Sequence, residues 1–126
     1  MEKICYLKKI FKELYLFDYN LKKETNLSMN EAMVLCSINE KKTDLTNLSK
    51  ELFVSKPRMT KIIEKLVRKG LVKKNVSEND RREKYLVLTK KGYKKISEIK
   101  EKKIPFPQIK LIRKKRKITP IVGDGA

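Results

Sequence analysis

Apolar residues recur in steps of three and four from the start of the chain: Ile4, Leu7, Phe11, Leu14 and Leu21 share one seam, and Asp18 takes its one polar place. That period is helical, so residues 2–24 are predicted as one long amphipathic helix with a heptad-like stripe. Ile10, Tyr15 and Phe17 widen the stripe beyond a pure coiled-coil seam. An ordinary core-facing helix and a helix packed across a subunit interface both fit, and the residues leave the two open.

Further along, Ser28 and Glu31 have the spacing of a capping box, in which each satisfies an orphan amide of the other's turn. The helix they open would bury Met29, Ala32, Met33, Leu35, Cys36 and Ile38, with Cys36 as a small core residue. Thr43, Asp44 or Thr46 can cap the short helix "LTNLSKELF", and Ser55 the helix after it. Pro57 falls in that helix's first turn, where a missing N–H costs nothing. Met59, Ile62, Ile63 and Leu66 form its inward stripe, and Gly70 is placed to end it in a left-handed conformation. The period then drops to two: "LVKKNV" and "KYLVLT" read as strands, joined by the polar "SENDRRE" into a β-hairpin with a charged tip. Thr89 caps a last helix, "KKGYKKISEIKEKK", with Tyr93, Ile96 and Ile99 on one side. At residue 104 the pattern stops. Pro105, Pro107 and Pro120, the basic run "KLIRKKRK" and the ending "GDGA" predict an irregular tail over 104–126.

The chain of 126 residues is therefore one mainly α domain with a small β-hairpin. Its net charge of +18 favours polyanionic partners. An AT-rich genome also enriches Lys, Asn and Ile, so charge alone names a partner class and no specificity. There is no histidine, the commonest general base and metal ligand, and the two cysteines stand far apart in sequence. None of the four glycines sits in a phosphate-cradling loop. No enzyme, metal or cofactor is expected. Lysines 8, 9 and 12 interrupt the first apolar run, so neither a signal peptide nor a membrane span is expected. With two cysteines and no disulfide framework, the expected location is the cytoplasm.

The order helix, helix, helix–turn–helix, charged-tip hairpin carries a resemblance. Over residues 28–103, "LSKELFVSKPRMTKIIEKLVRKGLVKKNVSENDRREKYLVLTKKG" and the helix before it resemble the MarR-type transcriptional regulators. "VSKPRMTKIIEKL" matches the recognition helix, "KGLV" enters the first wing strand, "DRR" marks the wing tip and "LTKKG" closes the second strand. Residues 2–24 take the place of the family's first dimerisation helix, 28–89 of its DNA-binding core and 90–103 of its second dimerisation helix. The resemblance implies a winged helix-turn-helix with N- and C-terminal dimerisation helices, acting as a homodimeric repressor on a pseudo-palindromic operator in double-stranded DNA. The recognition helix would enter the major groove with Ser55, Lys56, Arg58, Thr60 and Lys61, where Arg can bind guanine bidentately. Lys65 and Arg68, further along, would touch phosphates or solvent. At the wing, Asp80 would steady Arg82 in the minor groove, with Arg81 and Lys84 on the backbone.

Departures from the pattern bear on partners. Phe53 stands in the helix–helix turn where a small residue is usual; it must accept a strained turn or use its ring on the core. The Pro-broken tail replaces a final dimerisation helix, and serves either as a phosphate-tracking arm or leaves the dimer interface incomplete. Cys5 lies where some peroxide-sensing members carry a reactive thiol, with Lys3, Lys8 and Lys9 nearby, and is the candidate redox thiol; an inert thiol fits as well. The family also responds to small-molecule effectors, though no residue names one here. Against this stands a second class, a nonspecific, chromatin-like nucleic-acid binder driven by charge alone, and a third, a winged-helix module for an acidic protein.

Overall fold

The computed structural model describes residues 1–76, 84–102 and 104–107. Five helices and one hairpin follow in the order α1 (Glu2–Thr25), α2 (Met29–Glu40), α3 (Leu45–Leu52), α4 (Lys56–Arg68), β1 (Val72–Val76), β2 (Lys84–Leu88) and α5 (Lys90–Glu101). The wing tip, with Asp80, Arg81 and Arg82, and the tail beyond residue 107 lie outside the described residues.

The starts of α2, α3, α4 and α5 each carry a side-chain cap. Ser28 and Glu31 form the reciprocal capping box, with Ser28 Oγ accepting the Glu31 N–H at 3.1 Å and Glu31 Oε1 accepting the Ser28 N–H at 2.8 Å. Of the three candidates before α3, Asp44 is the cap and accepts the Asn47 N–H at 2.8 Å. Ser55 caps α4, and Thr89 caps α5 through the Gly92 N–H at 3.0 Å. Such caps contribute about 1 kcal/mol each.

The core is one cluster in which Leu27, Val34, Leu35, Ile38, Leu48, Met59, Ile63, Leu66, Leu71, Val72, Leu86 and Leu88 meet from α2, α3, α4 and the hairpin. Burying each of these side chains is worth roughly 1.5–3 kcal/mol. Ile96 and Ile99 of α5 pack against its edge. The predicted inner face of α2 is corrected at two places: Cys36 and Met33 are exposed, and Val34, Leu35 and Ile38 carry the burial. A 12-residue helix packed on one side turns only one stripe inward, and Val34, one residue beyond the predicted set, shifts that stripe. Tyr93 likewise points outward, because Ile96 and Ile99 already occupy the inner side of α5.

The hairpin is antiparallel, with Val72 opposite Leu88, Lys74 opposite Leu86 and Val76 opposite Lys84. Opposed residues share a face, so the row that is apolar at the base (Val72, Leu86, Leu88) continues outward as Lys74 and Lys84. The loop before α3 adds a third edge, since the Leu86 N–H donates to the Thr43 carbonyl at 3.0 Å.

The hairpin's base is locked to α5. Gly70 ends the α4 turn at φ +77°, its carbonyl accepts the Thr89 hydroxyl at 2.6 Å, and the Thr89 N–H donates to the Leu71 carbonyl at 3.1 Å. Gly92, in the first turn of α5, lies so close to Leu71 that a Cβ there would collide with the Leu71 carbonyl oxygen. That partner is backbone and has no soft torsion to yield. Gly92→Ala is therefore expected to destabilise the fold by about 1–3 kcal/mol, measured as a lowered urea midpoint at unchanged slope.

Candidate nucleic-acid interface

The sequence over residues 45–68 folds as two helices joined by a tight turn because Phe53 takes the left-handed conformation, φ 55°, ψ 44°. The Val54 N–H then reaches back to the Ser49 carbonyl at 3.1 Å, as at left-handed helix ends. Of the two outcomes open to Phe53, the strained turn is the one realised. Its ring does not pack on the core and is 95% exposed. That conformation costs an L-residue roughly 1–2 kcal/mol.

Three buried side chains, Met59, Ile63 and Leu66, set the rotation of α4 about its axis. Every cation of the helix is thereby turned away from the core: Lys56, Arg58, Lys61, Lys65 and Arg68 are all exposed. Ser55 is exposed too, but its hydroxyl accepts the Arg58 N–H at 3.4 Å, so it is engaged in the cap. Thr60 is half-buried, and its hydroxyl donates to the Lys56 carbonyl at 2.9 Å.

These residues divide between two flanks. Arg58, Lys61 and Lys65 line a cleft of ≈ 380 Å³ with Tyr15, Asp18 and Lys22 of α1 and the start of α2. Thr60 lies on the other side, in a cavity of ≈ 350 Å³ shared with Thr46 at the start of α3 and with Lys74 and Lys84 of the hairpin. Lys42 supports this side, its ammonium 4.4 Å from the centre of the Tyr85 ring. Lys84 thus falls beside α4, together with a residue that sequence reasoning passed over, Lys74. The alternation in "LVKKNV" holds the signal, because Lys74 shares a face with Val72 and Val76. Glu64, the one acid of α4, is exposed among the cations and was also passed over.

Helix α1 buries only Leu21 and Thr25. Ile4, Leu7, Phe11, Tyr15, Leu16 and Tyr19 are exposed along it, with Phe11 stacked on Tyr15 at 6.3 Å. Asp18, the interruption in the seam, accepts the Met29 N–H at 2.7 Å and so holds α1 to the start of α2. After α5 the chain runs back to α1, where Phe106 meets Phe17 edge-on at 5.4 Å and Lys102 pairs with Glu24 at 3.8 Å.

A family model described as transcriptional regulator SarA/Rot matches residues 16–99. The chain belongs to the SarA/Rot family of transcriptional regulators. This regulator also matches solved structures of the same winged helix-turn-helix architecture. The transcriptional regulator BldR from Sulfolobus solfataricus is 29% identical, over 79% of this chain and 75% of its own, at a TM-score of 0.67. AbsC, a MarR family transcriptional regulator from Streptomyces coelicolor, is 22% identical, over 79% and 68%, at 0.71. A MepR variant from S. aureus, bound to an oligodeoxyribonucleotide, is 17% identical, over 79% and 74%, at 0.62. No curated protein matches the chain. Among the described residues of this SarA/Rot regulator, no helix is long and apolar enough to cross a membrane, and no cluster of acids and cysteines could hold a metal ion.

Both cysteines are free and exposed. Cys5 stands on the open part of α1. The Cys36 thiol is pushed up from its ordinary value by partial desolvation, then by the Glu40 carboxylate, to which it donates at 3.8 Å, and by Glu51. A raised thiol is less ionised near neutrality and a poorer nucleophile. In a Cys5→Ser background, Cys36 is expected to react with iodoacetamide at pH 7.5 more slowly than a free thiol. Adding Glu40→Gln should speed the reaction, as read by intact-mass kinetics.

Proposed function

We propose that this SarA/Rot regulator binds an inverted-repeat operator as a homodimer, represses from it, and inserts α4 in the major groove with the hairpin reaching the next minor groove. The observation that carries this reading is the rotation of α4, which buries Met59, Ile63 and Leu66 and leaves all five of its cations exposed. Lys56, Arg58 and Lys61, at the N-terminal half, are the base-edge and groove-wall residues; Lys65 and Arg68 neutralise phosphates. Glu64 can accept from a cytosine amino group and repels misplaced phosphate. Asp80, Arg81 and Arg82 are proposed for the minor groove on the family resemblance. A relative in fold, the MepR variant, is bound to an oligodeoxyribonucleotide.

With α4 and the hairpin in neighbouring grooves, the strand between those grooves must cross the cavity between them. Lys74, Lys84, Thr46 and Thr60 stand there and can seat its phosphates. The apolar face of α1 is proposed as the dimer seam, and its period of three and four suits a second copy of the same helix. Two-fold symmetry then places half-sites about one helical turn, roughly 34 Å, apart.

The net charge of +18 also favours a nonspecific basic binder, so the test must separate sequence from charge. Footprinting on DNA beside the protein's own gene, with excess random competitor, is expected to leave a protected inverted repeat. Protection that spreads evenly and disappears with competitor would favour the nonspecific reading. Arg58→Ala should lower specific binding far more than nonspecific binding; equal losses would overturn the recognition-helix assignment. Lys74→Ala with Lys84→Ala should instead keep base preference and reduce the salt dependence of log K by roughly 0.9 per lysine, read by titration at several salt concentrations.

A further inference from the structure

The ends of three helices converge on one ammonium group. Lys69, the residue that ends α4, donates from Nζ to the Asn26 carbonyl at 2.7 Å and to both oxygens of Glu31, at 3.1 and 3.2 Å. Asn26 is the left-handed cap that ends α1, and Glu31 belongs to the capping box that starts α2. Glu31 is only 4% exposed, and its Oε1 also accepts the Ser28 N–H. The recognition helix is thus fastened directly to the corner where α1 leaves the core. The second polar tie at this corner, Asp18 to the Met29 N–H, joins α1 only to α2.

An apolar pair filling this space would be no less stable, since burying an ion pair costs much of what it returns. Its distinctive property is direction. Three hydrogen bonds from one ammonium, to the Asn26 carbonyl and to both Glu31 oxygens, hold the end of α4 to a defined point on each of the other two helix ends.

Direction matters here because α1 is a lever. Its buried residues, Leu21 and Thr25, sit at the corner, and the exposed apolar run lies towards the far end. The helix has 24 residues. At 1.5 Å per residue it is about 36 Å long, so a swing of about 10° at its base moves the far end by about 6 Å. That displacement exceeds the rise of roughly 3.4 Å per base pair.

We propose that Lys69 and Glu31 are positioning residues that determine which operator spacing the protein accepts. They hold α4 at a fixed angle to α1, and through the α1 seam they set the separation of the two recognition helices. The proposal rests on the α1 dimer and inverted-repeat reading given above. Neither residue needs to touch DNA.

The test uses the full chain on the protected repeat, with the half-sites moved apart or together in single base-pair steps, and on an isolated half-site. The variants are Lys69→Met, Lys69→Arg, and Glu31→Gln with Lys69→Met. The last removes both charges and leaves no orphan carboxylate, so a folded protein remains for measurement even where Lys69→Met alone does not fold. Wild type is expected to prefer one spacing. Lys69→Met and the double variant should lose that preference by a factor of about 2–30, the range for residues that couple two sites without touching either ligand. Their affinity for an isolated half-site should be unchanged, and Lys69→Arg should retain most of the preference. Folded variants that keep the wild-type spacing profile overturn the proposal, as does a parallel loss on the half-site and the full site. Sedimentation separates the remaining cases. A wild-type monomer overturns the dimer reading and this proposal together, whereas a wild-type dimer with a flat spacing profile overturns this proposal alone.

Discussion

The rotation of α4 about its own axis is set by three side chains, Met59, Ile63 and Leu66, which enter a core built by α2, α3 and the base of the hairpin. An unpaired ammonium or guanidinium inside that core would be far more costly than any contact it could make. Leu48, Leu71 and Leu86 fill the space the cations would need. The packing constraint and the charged surface are consequently one feature: whatever keeps Met59 inside keeps Lys61 outside. The strain at Phe53 follows from the same constraint. The chain must turn sharply between Leu52 and Ser55 for both helices to reach the core, and the backbone accepts a left-handed residue there although it is not glycine.

A second constraint places the hairpin. Its base is held by contacts to backbone carbonyls: the Thr89 hydroxyl to Gly70, the Thr89 N–H to Leu71, and Gly92 close against the Leu71 carbonyl. The Thr43–Leu86 bridge ties the opposite edge to the start of α3. Hairpin, α3 and α4 are therefore joined by direct contacts, and Lys74 and Lys84 line one cavity with Thr60. By contrast, α1 leaves this unit through a polar corner with little apolar burial. A closely packed core thus carries a long helix that is tied on largely through hydrogen bonds at one end.

The elements were legible in the sequence wherever local chemistry alone decides them. Ser28 with Glu31, Ser55 before Pro57, and Thr89 before the last helix each mark a helix start with a side chain that needs only its own turn. The winged architecture was legible for the same reason, since the period of apolar residues switches from helical to alternating over the hairpin and back to helical after Thr89. What depends on three dimensions was less visible. Cys36 satisfies helical spacing as well as Val34 does, and only the direction of α3 and α4 decides which of them is covered. Asp18 looked like a flaw in a seam and is the acceptor that starts α2. The Lys69–Glu31 contact joins residues 38 apart, a pairing that no local pattern announces.

Charge and shape do different work in this molecule. Lysines spread over a surface attract any polyanion, and the attraction weakens with salt whatever the sequence. Shape comes instead from groups that carry no net charge: the Ser55 cap, the buried stripe of α4, the Gly92 contact. Arg58 stands one turn from the Ser55 cap, Lys61 nearly two, and Lys65 and Arg68 further out along the helix. The direction of the α4 cations is therefore set by a core that cannot accommodate them and by a cap and a buried stripe that do not let the helix turn.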